Sequence, residues 1–315
     1  MSRQHRNIAA ALAVLSLISC RESLCYNHFG SADVEISWDT PPDSPSAPGS
    51  GGITVITFNE DGQPTESFIS PGGGTVNFGQ GGASSILIYN NDTYSVGVYG
   101  QADGPEAVWA TSTEGSRPAP DEINKKHPGE ICLNPPDILY AAYIPYIADV
   151  GNHEAADVQA DLHPLVFTYE IRYEFEHGFD NITDARGAIS GMAEKVYLYN
   201  GYTPYDAATL VFDCRLGQNA VTASVTSFGT PGYLPGGETA TRATQSHTLN
   251  LEVMLANGKS KQFNIDISEQ MHPQPRGGNI TVAKLRIEDS DAGNDAGFDT
   301  DVDDWGNNEE IEFPL

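Results

Sequence analysis

The chain reads as all-β, with sandwich as the natural architecture. Three observations carry that reading. Apolar and polar residues alternate with period two in run after run. Glycine-, proline- and asparagine-rich turns separate those runs. No stretch sustains the 3.6-residue repeat of an amphipathic helix. At about 150 residues per domain, 315 residues predict two domains of some seven strands each. The expected division is a leader over 1–19, a first domain over 20–155 and a second over 156–315.

The first domain opens on Val34-Glu35-Ile36-Ser37-Trp38, where Val34, Ile36 and Trp38 share one face of a half-buried strand. The Pro-, Gly- and Ser-dense segment Asp39–Gly52 can only be a loop. Ile53–Phe58 is rich in β-branched residues and pairs with Thr65–Ile69 across the turn Asn59-Glu60-Asp61-Gly62. A short strand, Thr75–Phe78, lies between glycine turns. Ser85–Tyr89 and Tyr94–Tyr99 flank Asn-Asn-Asp-Thr and read as a further hairpin. Gly100–Pro136 is irregular, a long excursion suited to a mobile or binding loop. Asp137–Val150 is the most aromatic and apolar segment and is expected to close the first domain as a buried strand pair or helix turn.

In the second domain Val158, Ala160 and Leu162 alternate with polar residues, so that segment is an extended lead-in. Leu165–Glu176 then alternates for a long strand with one apolar face: Leu165, Phe167, Tyr169, Ile171, Tyr173 and Phe175. Ala188–Met192 and Lys195–Tyr199 flank a turn, and Thr209–Leu216 is expected to pair with Ala220–Phe228. Thr248–Leu255 and Lys261–Ile267 are joined by Ala256-Asn257-Gly258-Lys259, whose Asn-Gly favours a tight hairpin. Asn279–Glu288 is a last long strand. The acidic tail beyond Asp289 invites a calcium reading through Asp299, Asp301 and Asp303. Counted from Asp289, it lacks the Gly and Glu that an EF-hand loop needs at its sixth and twelfth positions, occupied here by Asn294 and Thr300. Ile311 and Phe313 alternate, and a terminal strand is expected there.

The N-terminus has its own chemistry. Arg3 and Arg6 precede the apolar run Ile8–Ser19, which is shorter than the ~20 residues of a membrane span and matches the core of a secretory signal. Leu17-Ile18-Ser19-Cys20 resembles a bacterial lipobox. Leu17, Ile18 and Ser19 would form the recognition end of the cleaved signal, and Cys20 would carry the lipid on its sulfur. The protein is then expected to be anchored to a membrane by lipid rather than to cross it.

Lys and Arg total 16 against 43 Asp and Glu, a formal charge of −27. Such acidity argues against nucleic acid and against anionic lipid headgroups as partners. Cys25, Cys132 and Cys214 remain beside Cys20, with no zinc spacing among them. Cys214, in the apolar run Leu210–Cys214, is expected to be a buried free thiol. There is no Gly-x-Ser-x-Gly elbow, no His-Glu-x-x-His helix and no Gly-x-x-x-x-Gly-Lys-Ser/Thr phosphate-binding loop. The eight histidines are scattered and expected at surfaces or turns. No catalytic residue, cofactor or metal is therefore assigned, and the chain is not expected to be an enzyme. A surface glycan-binding protein is the alternative, with Trp109, Tyr140, Tyr143 and Tyr146 as a sugar platform. The competing reading of those rings is core packing.

A set of short segments, in order along nearly the whole chain, resembles one family. They are Arg-Glu-Ser-Leu-Cys-Tyr-Asn-His after Cys20, Val34–Asp39, Pro71–Phe78, Ile86–Thr93, Ala188–Leu198, Val225–Gly229, His247–Leu255, Ile267–Pro273 and Gly297–Trp305. They are similar to a Bacteroidia-type lipoprotein family within the fimbrillin-like (type V pilus) group. The resemblance implies two tandem transthyretin-like, Greek-key β-sandwich domains on an outer-membrane lipid anchor. It implies a role in pilus assembly, anchoring or adhesion, with fimbrial subunits or cell-surface ligands as partners. Related stalk subunits lose their first strand to an arginine-specific protease, and a neighbour's strand fills the groove. Residues 22–116 of this chain contain no Lys or Arg. The expectation is therefore that Val34, Ile36 and Trp38 stay in place as a retained first strand.

Overall fold

A computed structural model describes residues 30–39, 51–79, 82–147, 155–235, 245–293 and 309–310. The signal segment with Leu17, Ile18, Ser19 and Cys20, the acids Asp299, Asp301 and Asp303, and Ile311 and Phe313 lie outside the described residues.

The chain is all-β. Its strands are β1 (Ser31–Trp38), β2 (Ile53–Phe58), β3 (Pro64–Ile69), β4 (Gly73–Asn77), β5 (Ser85–Asn90), β6 (Val96–Tyr99), β7 (Trp109–Ser112), β8 (Ile131–Leu133), β9 (Tyr140–Ile144) and β10 (Ala155–Pro164) in the first half. The second half carries β11 (Phe167–His177), β12 (Ile182–Ala193), β13 (Lys195–Tyr197), β14 (Ala207–Asp213), β15 (Arg215–Leu216), β16 (Ala220–Ser227), β17 (Thr248–Leu255), β18 (Ser260–Asp266), β19 (Gly278–Arg286) and β20 (Glu309–Glu310). Among the described residues three short α-helices are α1 (Asp121–Lys126), α2 (Ser268–Met271) and α3 (Asp289–Ala292).

The first half is a seven-stranded series in the order β3-β2-β5-β9-β10-β1-β4. It folds over at two corners. β9 meets β10 only through Ala141↔His163 and Tyr140↔Pro164, and β3 turns into β4 at the Ser70↔Gly73 bridge. The inward faces of β2, β5 and β9 thereby enclose a core with those of β1, β4 and β10, including Val34, Val55, Val76, Ile88, Tyr140 and Val158. The alternation at Val158, Ala160 and Leu162 is real, but β10 belongs to this sheet, so its strands run on past residue 155 to Pro164.

The second half stacks β15-β16-β11-β19 on β20-β18-β17-β12-β14-β8. Tyr169, Ile171, Tyr173 and Phe175 from one sheet meet Ile189, Leu210, Leu251 and Phe263 from the other. The long apolar face read from Leu165–Glu176 is the centre of this core. The hairpin β17–β18 forms across Asn257-Gly258, with Leu255 N–H donating to Lys259 O at 2.8 Å.

The two halves also share material. A three-stranded sheet, β13-β7-β6, draws β6 and β7 from the first half and β13 from the second. Its Val98, Ala110 and Val196 pack on Ile56, Leu87 and Ala141 of the first half, together with the buried link Leu165-Val166. Three sequence expectations are corrected by this arrangement. Ser85–Tyr89 and Tyr94–Tyr99 are not a hairpin: β5 pairs with β2 and β9, whereas β6 pairs with β7. Asn90 causes the divergence. Its side chain accepts from Tyr140 N–H (2.6 Å) and donates to Ile138 O (2.9 Å), which ends the ladder, while Asp137 takes the Tyr94 and Ser95 N–H groups.

Thr209–Leu216 does not pair with Ala220–Phe228 as a whole. β14 lies in the opposite sheet, between β12 and β8, and only β15 meets β16. Gly100–Pro136 is no featureless excursion, since it holds β7, α1 and β8. These elements are too short to print a period in the sequence, and they pair with strands remote from them.

Candidate functional site: the first strand in its slot

β1 sits inside the first sheet, not at its edge. It runs parallel to β10 over eight residue pairs, Ser31↔Ala155 to Trp38↔Leu162. It runs antiparallel to β4 over five, Ser31↔Asn77 to Glu35↔Gly73. Both rows of its backbone groups are thus engaged, and strands so placed hold most firmly. The alternation that marks the strand in sequence decides what each face does. Ala32 and Val34 are buried, and Ile36 and Trp38 pack on the same core. The Trp38 ring meets Tyr140 edge-on, with centroids 5.4 Å apart. Burial, with Asp39 nearby, pushes the Tyr140 hydroxyl above its ordinary pKa.

The outward face is stitched by polar side chains. Thr75 Oγ1 donates to Asp33 Oδ1 at 2.6 Å, Gln159 Nε2 donates to Glu35 Oε2 at 2.6 Å, and Ser37 donates to Asp161. Both ends are tied as well. Phe78 N–H donates to Gly30 O at 3.0 Å, and Asp39 N–H donates to Leu162 O at 2.9 Å. His163 Nδ1 lies 3.0 Å from Asp39 Oδ2.

Gly73 is required beside β1. Its φ is +113°, and a Cβ there would stand 2.1 Å from Val34 O. In the sequence Gly73 read only as turn material. Nothing in Pro-Gly-Gly-Gly marks which glycine must admit a neighbouring strand.

The structure brings Val34, Ile36 and Trp38 together on one face. It does not bring together the four aromatic residues of the expected sugar platform. Tyr140 is fully buried under Trp38, Tyr143 packs partly into the core beside Ile56, and Tyr146 stands alone at 75% exposure. Trp109 lies in the three-stranded sheet instead. Alternate residues of β9 face opposite sides, which separates Tyr140 from Tyr143, and Tyr146 lies beyond the end of the strand.

The histidine expectation is also corrected. His247 is buried, and desolvation pushes its pKa down to about 4. His127 Nε2 lies 2.9 Å from Thr248 Oγ1 and its Nδ1 lies 3.3 Å from Glu130. Glu130 accepts from Gly191 N–H (3.1 Å) and Thr209 Oγ1 (2.7 Å), satisfying the bulge in β12 where the register shifts between Ile189 and Met192. This network fastens α1 and β8 onto the six-stranded sheet. Sequence reasoning missed it because His127 and Glu130 find their partners 61 to 121 residues further along the chain. Cys214 packs against the core as a free thiol, and burial pushes its pKa up to about 12. Cys132 is likewise free, and burial raises its pKa too.

The geometry is that of a strand held on both sides by backbone pairing. A curated relative from Bacteroides ovatus named "Putative fimbrium anchoring subunit Fim4B" is 23% identical over 223 residues. The match spans 70% of this chain and 63% of the relative, so the chain accounts for under two thirds of that relative's length. Among solved structures, one described as a "putative adhesin" from Bacteroides ovatus superposes with a TM-score of 0.60 at 19% identity, over 85% of this chain and 97% of that one. That likeness establishes the shared fold. The fimbrial anchor protein Mfa2 from Porphyromonas gingivalis aligns with a TM-score of 0.47 at 12% identity, over 80% and 90% of the respective chains. The family described as "Domain of unknown function (DUF5119)" matches residues 19–213, more than half of the chain, and the chain belongs to it.

Proposed function

We propose that this protein is a lipid-anchored accessory subunit of a fimbrium, of the anchoring kind, held in the outer membrane through Cys20. In this reading it partners other fimbrial subunits and has no catalytic step. Its halves would be two tandem transthyretin-like sandwiches that exchange strands. The observation that carries the reading is the state of β1. The strand fills the slot between β10 and β4, and residues 22–116 offer no Lys or Arg at which a basic-residue protease could release it. A subunit whose first slot is filled by its own strand cannot accept a neighbour's strand there. It can end or root a fibre but not extend one through that groove. The relative named as a fimbrium anchoring subunit supports the same assignment.

Intact-mass analysis of the protein extracted from its native envelope tests this. The expected species begins at Cys20, carries lipid and retains residues 31–38. A mature N-terminus within residues 30–120, without lipid, would overturn it. Protease shaving of whole cells then separates an outward-facing position from a periplasmic one.

A further inference from the structure

We infer that the outer face of the β13-β7-β6 sheet is a carbohydrate-binding surface that takes neutral glycans by ring stacking. The inner face of this sheet is spent on the core through Val98, Ala110 and Val196. Strand register places Tyr99, Trp109 and Tyr197 side by side on the opposite face, one on each strand. Tyr99 stacks on Trp109 with centroids 4.8 Å apart and planes at 28°, and Tyr197 stacks on Tyr202 at 6.0 Å and 17°. Tyr205 stands beyond them at 71% exposure, and Tyr99 is 49% exposed. Gly97 makes the Tyr99 pose possible. A Cβ at Gly97 would sit 2.6 Å from the Tyr99 hydroxyl, so only glycine lets the ring lean along β6.

The chemistry of the strip selects its occupant. Its rings come with polar neighbours, Thr111 and the Lys195–Asp206 ion pair (3.0 Å), and the outward positions in register with them are Gly97, Thr111 and Lys195, none aliphatic. Among the described residues, the hydroxyls of Tyr99, Tyr197, Tyr202 and Tyr205 have no hydrogen-bond partner. The core tyrosines differ: Tyr169 donates to Gln274 O at 2.9 Å and Tyr173 to Asn250 O at 3.3 Å. Lys195 Nζ lies 5.6 Å from the Trp109 centroid, and the ring surface that these stacks leave exposed, chiefly on Tyr99 and Tyr205, lies beside unspent hydroxyls and matches a sugar, which offers an apolar C–H face edged by hydroxyls. A formal charge of −27 disfavours acidic glycans and leaves neutral ones.

The test is an array of neutral hexose and N-acetylhexosamine oligosaccharides, with sialylated and sulfated chains alongside, probed with the full chain in detergent. The best neutral oligosaccharide is then titrated while Trp fluorescence is followed. Neutral chains are expected to bind, Tyr99→Ala and Tyr205→Ala to weaken binding about tenfold each, and Tyr99→Phe to weaken it less. The exposed Tyr205 keeps the test valid should Tyr99→Ala disturb folding. Silence across the array would overturn the proposal. So would binding indifferent to both alanine variants, or loss in these variants of a fimbrial protein partner with no glycan bound. The lipid and first-strand measurements above do not depend on any of these outcomes.

Discussion

The two halves reach a similar sandwich-like layering by different routes. In the first half the decisive strand, β1, is imported from the start of the chain to a partner 124 residues away. In the second, β17 and β18 are joined by a tight turn, and β12 pairs with β17 and β14 on either side. Distant strands pay loop-closure entropy before they gain contacts. A half completed by such a strand can be opened by removing one segment. The second half also takes a distant partner, since β19 runs parallel to β11, but β19 stands at the sheet edge with a neighbour on one side only. On the proposed reading, the first half holds the slot at which a neighbour's strand would pair.

The comparison is broken most severely at Gly73. Gly73→Val puts side-chain atoms where Val34 O lies, at a backbone angle that disfavours any side chain, and a loss of at least about 3 kcal/mol is expected. Urea unfolding gives the magnitude. Amide exchange should show protection lost over 30–39 and 155–164 and kept over β17–β18. Uniform loss across both halves would show that they unfold as one unit through the shared core at Val196 and Leu87.

Tyr173→Ala probes the other half, where the ring is fully buried and its hydroxyl donates to Asn250 O. About 3–5 kcal/mol should be lost, and only about 1 kcal/mol for Tyr173→Phe. Exchange protection should fall first in β11 and β17 and last in β1.

The third prediction concerns pH. His247 has its folded pKa near 4, against about 6.5 for an unperturbed histidine. Between these values the unfolded chain binds a proton that the folded chain refuses. The contribution is therefore complete above about pH 6.5 and is lost as pH falls toward 4, by up to about 3 kcal/mol. Urea midpoints at about pH 7, 5.5 and 4.5 should converge for wild type and His247→Asn as pH falls. Parallel curves would reject a neutral, buried His247.

The smallest effect sharpens the account of β1. Thr75→Ala removes an exposed hydrogen bond to Asp33 and should cost no more than about 1 kcal/mol. A much larger loss in thermal unfolding would mean that the polar stitching, and not the ladder and the apolar face, holds the strand.

Much of this was legible beforehand. Tyr169, Ile171, Tyr173 and Phe175 announced a strand with one buried face, and Asn257-Gly258 announced its hairpin. Val34, Ile36 and Trp38 announced a half-buried strand. The partners were not legible. Nothing in Ser85–Tyr99 shows that Asn90 turns the chain out of one sheet and into another, because two of its side-chain partners are Ile138 and Tyr140. Tyr140, Tyr143 and Tyr146 do not form one platform because Tyr140 and Tyr143 face opposite sides of β9 and Tyr146 lies beyond its end. The strip that does form joins Tyr99, Trp109 and Tyr197 across three strands.

By itself the sequence determined the all-β class, the faces of the long strands, the tight turns and the absence of Lys and Arg from 22–116. These depend on local geometry: a two-residue side-chain period, turn dihedrals and residue identity. Only the tertiary structure decided that β1 lies parallel to β10, that β8 joins the sheet of the second half, and that three strands from both halves align their rings outward. Strand pairing is chosen by which apolar faces can be buried together. That choice belongs to the whole chain rather than to any window of it.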